Sequence, residues 1–413
     1  MPLIEEAHKA ARILLDHAYV RIVARAEPDA ACAAALLAHA LRRESVDFHV
    51  SWARRLDGTT LAAIAQERPD CAVVIGLSGD AEAAEVPAAR TLLLDAAPPT
   101  IAADALVHAD ASLAGLAHLV AAGISKRNVD LAPLALAGAL ASWRHIGGWK
   151  GLDAEILRDA VESGVVLREA ALALHGPGLL QALTQLDAPY VAGLTGRARN
   201  AKKLVTDLKL RPDALPASLA AEESQRLGDL LALRLLQQGA PDAALDALFR
   251  PTLRGLAGPH TGLECGELAR AAEAACSAGR AGLAFAALWP DGAAGGELVD
   301  MATAAREQMV QALVAAERDA KREGRLLVAT APHATMCRPL ADRIALAHAH
   351  TDTIVVVHAE DVVTLRSWAG DAHPIAQRAA PLAGATAGGA GGMAHLWAPD
   401  ATRALKALVE ASS

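Results

Sequence analysis

Three short apolar, β-branched runs, Tyr19–Ala24, Cys71–Leu77 and Thr91–Asp95, give way abruptly to segments of a different character. These are Arg25-Ala26-Glu27-Pro28-Asp29, Gly76-Leu77-Ser78-Gly79 and Asp95-Ala96-Ala97-Pro98-Pro99. Short continuous apolar runs read as strands buried on both faces, the pattern of a parallel sheet covered by helices. Helical patterns at Ala30–Arg43 and Asp57–Glu67 and weaker strands at Asp47–Trp52 and Ala105–His108 fill the gaps. The βαβ alternation predicts a doubly wound parallel-sheet α/β domain, ending near helices around Leu131–Trp143 and Ala154–Ser163. Open parallel sheets collect functional groups at their strand ends, so the three segments are where chemistry is expected.

The rest of the chain changes character twice. From about Gly196 the period is helical almost throughout, with helices at Leu215–Gln238 and Cys265–Ala278 and breaks at Pro212, Pro216, Pro241, Pro251 and Pro259. Strands return at Leu326–Thr330, Ile354–His358, Val362–Trp368 and Met393–Trp397, before a last helix from Pro399 to Ala411. The expected organisation is therefore 1–195 a doubly wound domain, 196–300 a helical connector, and 301–413 a smaller C-terminal α/β domain.

At 413 residues, 53% of them apolar, the chain is long enough for more than one core. No uninterrupted apolar stretch would span a bilayer, and Met1–Asp16 alternates charged with apolar residues, so a cytoplasmic protein without membrane contact is expected. Cys32, Cys71, Cys265, Cys276 and Cys337 form no CxxC pair and are expected as buried free thiols. With 39 basic and 47 acidic residues the net charge is -8, so nucleic-acid contact has to be local; aromatics, at 3%, are too few for extensive base stacking.

The strand Tyr19–Ala24 with Arg25-Ala26-Glu27-Pro28-Asp29-Ala30 resembles the first motif of the DHH phosphoesterases, a strand followed by His-x-Asp-x-Asp-Gly. Val73–Gly79 is similar to their second motif, Leu92–Pro99 to Asp-His-His-x-Pro, and Leu134–Ser142 to the fourth. Gly151–Gly164, Pro189–Gly196 and Glu264–Leu283 extend the resemblance to the archaeal RecJ-like branch. That branch includes GINS-associated nucleases and relatives of the pseudo-nuclease subunit of the eukaryotic CMG helicase. The resemblance implies a two-metal reaction in which carboxylates and imidazoles hold divalent ions, usually Mn²⁺. Carried onto this chain, the usual His is Arg25, the two Asp are Glu27 and Asp29, and the glycine is Ala30. The second-motif Asp is Gly76, the DHH triplet is Asp95-Ala96-Ala97, and the fourth-motif Asp is Ser142. Arg25, Gly76, Ala96, Ala97 and Ser142 are thus degenerate catalytic positions; Glu27, Asp29 and Asp95 are vestigial ligands. Two readings of Arg25 stand side by side: a guanidinium replacing the metals' charge beside Glu27, Asp29 or Asp95, or an arginine facing solvent. Asp29 reads equally as vestigial ligand and as N-cap of the helix opening at Ala30.

The C-terminal part resembles the DHHA1 module, which implies a grip on single-stranded substrate. Val362–Ser367 is similar to its strand ending in Ser-x-Arg, placing Arg366 and Ser367 at a phosphate. Gly388-Gly389-Ala390-Gly391-Gly392-Met393-Ala394-His395 is similar to its glycine-rich loop, whose backbone N–H groups approach phosphate oxygens, with the histidine either lost or displaced by one residue to His395. His348 and His350 read as metal ligands or, more often for two histidines at a helix end, as surface residues. The basic cluster Arg197–Lys203 reads either as a track for a nucleic-acid backbone or as a solvated helix face.

The implied function is that of an inactive RecJ-like pseudo-nuclease without cofactor, a scaffold in an archaeal CMG-like helicase assembly. Its implied partners are GINS and, through it, MCM, with weak contact to single-stranded DNA. Two other classes stay open: a residual Mn²⁺-dependent exonuclease or phosphodiesterase using Glu27, Asp29 and Asp95, and a stand-alone nucleic-acid or nucleotide sensor.

Overall fold

The computed structural model describes residues 2–80, 85–289, 295–348, 352–368 and 370–412. Helix α1 (Pro2–Leu15) precedes β1 (Tyr19–Arg25), α2 (Pro28–Arg43), β2 (Asp47–Ala53), α3 (Gly58–Glu67), β3 (Cys71–Ile75), β4 (Arg90–Asp95) and β5 (Ala105–His108). Next come α4 (Leu113–Ile124), α5 (Ala132–Ala141), α6 (Gly151–Glu162), β6 (Val166–Glu169), α7 (Leu179–Thr184), α8 (Ala198–Asp207), α9 (Ala221–Gln237), α10 (Asp242–Leu248) and β7 (Thr252–Gly255). The last stretch holds α11 (Cys265–Ser277), α12 (Ala281–Ala287), α13 (Gly295–Asp319), β8 (Lys321–Glu323), β9 (Leu326–Thr330) and α14 (Cys337–Leu346). It ends with β10 (Ile354–Ala359), β11 (Val362–Arg366), α15 (Ala372–Ala383), β12 (Thr386–Ala390), β13 (Met393–Trp397) and α16 (Ala401–Ser412). The chain divides into two units, Met1–Arg168 with Leu253–Ala302, and Glu169–Thr252 with Thr303–Ser413.

The first unit is built on a parallel sheet in the order β2-β1-β3-β4-β5. Alternate residues of one strand point to opposite faces, and both faces are buried. Ile22, Val73, Ile75, Leu92 and Leu94 pack with α1, α2, α4 and α5. Val23, Ala72, Val74 and Leu93 pack with Leu56 and Ile64 on the other side. The strand order reverses direction between β1 and β3, so the crevice of this doubly wound sheet opens at the ends of those two strands. Arg25 and Gly76 stand there.

The 196–300 stretch is not one connector: α11 and α12 belong to the first unit. Ala272, Ala275, Cys276 and Ala284 enter the core that holds α2 and α5. Their small side chains allow helices to approach closely, whereas periodicity reports a buried face without saying what buries it. All five cysteines are buried and none forms a disulfide, and burial pushes the Cys71 and Cys276 thiols up to about 12.

The second unit contains a six-stranded sheet in the order β12-β13-β11-β10-β9-β8, parallel only between β9 and β10. One face packs Val355 and Val357 against Leu313 of α13 and Leu340 of α14. The other packs Val356 and Val363 against Ile375 of α15 and Leu408 of α16. Helices α7 to α10 belong to this unit. Among the described residues no helix is long and apolar enough to cross a membrane.

Candidate functional site

Arg25, the last residue of β1, is buried at 9% exposure, which excludes the solvent-facing arginine. Its Nε donates to the Gly76 carbonyl and one terminal nitrogen donates to the Arg54 carbonyl at 3.0 Å. The guanidinium therefore ties the ends of β1 and β3 together at the switch point. Gly76 has φ +69°, and a Cβ there would lie 2.7 Å from Leu113 Cδ1. An L side chain at this position is strained by both backbone and neighbour.

Asp29 is not an N-cap of its own helix. α2 opens at Pro28 with Glu27 as its N-cap residue, because proline is favoured in the first turn. The Asp29 carboxylate reaches instead to the start of α4, accepting from Leu113 N at 2.9 Å and Ala114 N at 3.0 Å. These are donors that a helix leaves unmatched at its N-terminus. Ser142, at the fourth-motif position, donates to the Gly138 carbonyl at 2.9 Å. Burial raises the Asp29 carboxyl to about 7, against the lowering effect of the two backbone N–H groups.

Asp95 closes the second knot. One oxygen accepts from Ser78 N at 2.8 Å and Ser78 Oγ at 2.7 Å; the other accepts from Ala97 N at 2.9 Å. The turns after β3 and β4 are thereby joined through one buried carboxylate. Ala97 is buried and Ala96 half-buried beside it.

Residues that motif reading passed over complete the region. Ser112 caps α4, and its hydroxyl donates to Asp153 Oδ1 at 2.5 Å. Asp153, 1% exposed, also pairs with Arg144 at 3.2 Å, and Arg144 reaches Asp110 at 2.6 Å. The available signal was Ser112 directly before the apolar run Leu113–Ile124, an N-cap signature.

In the second unit the glycine run is not a loop. Gly388 and Gly389 lie in β12, paired with His395 and Ala394 of β13; only Gly391 and Gly392 form the turn. A Cβ at Gly389 would meet the Met393 carbonyl at 2.4 Å, and one at Gly392 the Ser367 carbonyl at 2.1 Å. Close backbone approach, to β13 at Gly389 and to the residue after β11 at Gly392, thus accounts for these two glycines. The Arg366 guanidinium is held between Asp342 of α14, at 3.0 Å, and the Trp368 ring, 4.2 Å from its centroid. Ser367 N donates to the Gly392 carbonyl at 2.8 Å, and the buried His395 bonds Thr364 Oγ1 at 3.0 Å. Of the histidine pair, His350 lies outside the described residues.

No family model and no curated protein matches the chain. Solved structures do. CDC45 from Entamoeba histolytica superposes with a TM-score of 0.63 at 10% identity, covering 99% of both chains. RecJ from Thermus thermophilus in complex with Mn²⁺ gives 0.58 at 17% identity over 99% of this chain, which spans only 54% of that RecJ. A DHH domain described as that of a member of a family of ribosomal proteins gives 0.54 at 11% identity, covering 99% of this chain and 90% of that one. The fold is the RecJ-like DHH fold.

One RecJ-like DHH structure binds Mn²⁺, so the donor set of this chain bears directly on a metal. It does not fit two ions. Both oxygens of Asp29 and of Asp95 are turned to backbone N–H groups or a hydroxyl, and a guanidinium occupies the switch point. Among the described residues no three His, Cys, Asp or Glu side chains form a metal-holding group. The arrangement fixes backbone geometry, and Asp29 and Asp95 would have to give up these hydrogen bonds in order to hold cations.

Proposed function

We propose that this chain is a RecJ-like DHH pseudo-nuclease, without cofactor, that acts in the cytoplasm as a scaffold of an archaeal CMG-like helicase assembly. It joins GINS and, through GINS, MCM, with weak contact to single-stranded DNA through Arg366 and the β12–β13 hairpin. The observation that carries the reading is that Asp29 and Asp95, at positions where the resemblance implies metal ligands, are buried acceptors that hold α4 and the Ser78 turn. A likeness to CDC45 along the whole length of both chains supports it, as does the motif resemblance to the pseudo-nuclease branch. The docking surface falls on α9, where Leu233 and Leu236, one turn apart, are 50% and 57% exposed.

The test is capture from native extract with the chain as bait, beside a nuclease assay with Mn²⁺. Recovery of GINS and MCM subunits without cleavage supports the scaffold. Cleavage that Asp29→Ala abolishes, with neither partner recovered, overturns it in favour of a residual phosphodiesterase.

A further inference from the structure

Residues 197–213 carry six basic and two acidic residues, a local charge of +4, so the remainder of the chain carries -12. Helix α8 lies inside this stretch. Its buried face is Ala201, Leu204 and Val205, which leaves Arg199, Lys202, Lys203 and Thr206 on the solvent side, with Arg197 at the N-cap and Lys209 just beyond the end. Among the described residues Arg197, Arg199, Lys202, Lys203 and Lys209 have no ion-pair partner, whereas Arg211 is paired with Asp213. The first turn of α8 contains no acid, and cations stand where the helix dipole favours anions. The sequence thus keeps these charges against the local preference of the helix that carries them.

We propose that the exposed face of α8 binds the phosphodiester backbone of nucleic acid, independently of base sequence and separately from Arg366. The chemistry of the face selects this occupant over an acidic protein. None of the large exposed apolar side chains among the described residues lies on α8. Protein hot spots depend on apolar or aromatic anchors seated in pockets, whereas a polyanion needs only closely spaced cations and the release of its counterions. Residues four apart on one helix face stand about 6 Å apart along the axis, so Arg199 and Lys203 present adjacent charges to one strand.

The experiment measures binding of the full chain to a fluorescent oligo-dT 30-mer by anisotropy over a series of salt concentrations. The variants are Arg199→Gln/Lys202→Gln/Lys203→Gln, the charge-keeping Arg199→Lys/Lys202→Arg/Lys203→Arg, and Arg366→Ala. Loss of three phosphate contacts should reduce the slope of log K against log[salt] by about 2, at roughly 0.7 per single-strand phosphate. The charge-keeping variant should bind as wild type, and Arg366→Ala should retain the slope that the glutamine variant loses. An unchanged slope in the glutamine variant overturns the proposal. So does a loss in that variant confined to anionic phosphatidylserine vesicles or to poly-glutamate, with oligo-dT binding intact. The result is independent of the scaffold reading, which stands or falls on cleavage and on GINS capture.

Discussion

Asp95 and Asp29 are carboxylates whose oxygens are engaged by backbone N–H groups and a hydroxyl. Asp95 accepts three hydrogen bonds while nearly fully buried, so Asp95→Ala leaves buried donors unmatched at about 1–3 kcal/mol each. Urea unfolding should show a loss of that order with or without Mn²⁺; a loss seen only with the metal present would restore Asp95 as a ligand. Asp29 carries a pH dependence. Its folded carboxyl is raised from 3.8 to about 7, so the native state holds the proton more tightly than the unfolded chain does. Its contribution is complete below about pH 4 and is lost as pH rises to about 7. Wild-type stability should therefore fall relative to Asp29→Asn across that window, at up to about 1.4 kcal/mol per pH unit. A gap that stays constant from about pH 4 to about pH 8 would mean that Asp29 remains ionised throughout.

Helix contacts explain why some elements were legible and others were not. β1, β3, β4 and β5 could be read because parallel strands buried on two faces need continuous apolar runs, and Tyr19–Ala24 supplies one. β12 was missed because Thr386-Ala387-Gly388-Gly389-Ala390 has neither alternation nor β-branched mass; its pairing with β13 alone makes it a strand. The hydrogen bonds of Asp29 were not legible from the sequence, since its partners lie more than eighty residues away on α4. Gly138 marks the closest approach of these helices. A Cβ there would stand 2.3 Å from Ala114 Cβ and 2.5 Å from Asp29 Oδ1. Gly138→Ala should cost about 1–3 kcal/mol or more in chemical denaturation, and a neutral result would contradict the packing of α5 on α4. On α9, Leu233→Asp/Leu236→Asp should abolish GINS capture while leaving the thermal midpoint within a degree or two, because neither side chain is in the core. Full capture by that variant would place the docking surface elsewhere.

For the whole molecule, the proposed pseudo-nuclease should show no linkage between metal and folding. A site that binds Mn²⁺ in the native state alone adds about 2.7 kcal/mol of stability when the metal stands at about 100 times Kd, several degrees of melting temperature for units of this size. Thermal midpoints in Mn²⁺ and in EDTA should coincide for the wild-type chain. They should also coincide for a reversion that combines Arg25→His, Gly76→Asp, Ala96→His, Ala97→His and Ser142→Asp. Gly76 sits at φ +69° with Leu113 against it, so an aspartate there is strained before it meets any metal. Asp29 and Asp95 would still have to release the α4 N-terminus and the Ser78 turn in order to turn outward. A rise of several degrees with Mn²⁺ in the reversion, matched by recovered cleavage, would show that the scaffold still holds the geometry and has lost only the ligands. Coincident midpoints would place the change in the backbone and its hydrogen bonds, where substitution of side chains alone does not reverse it.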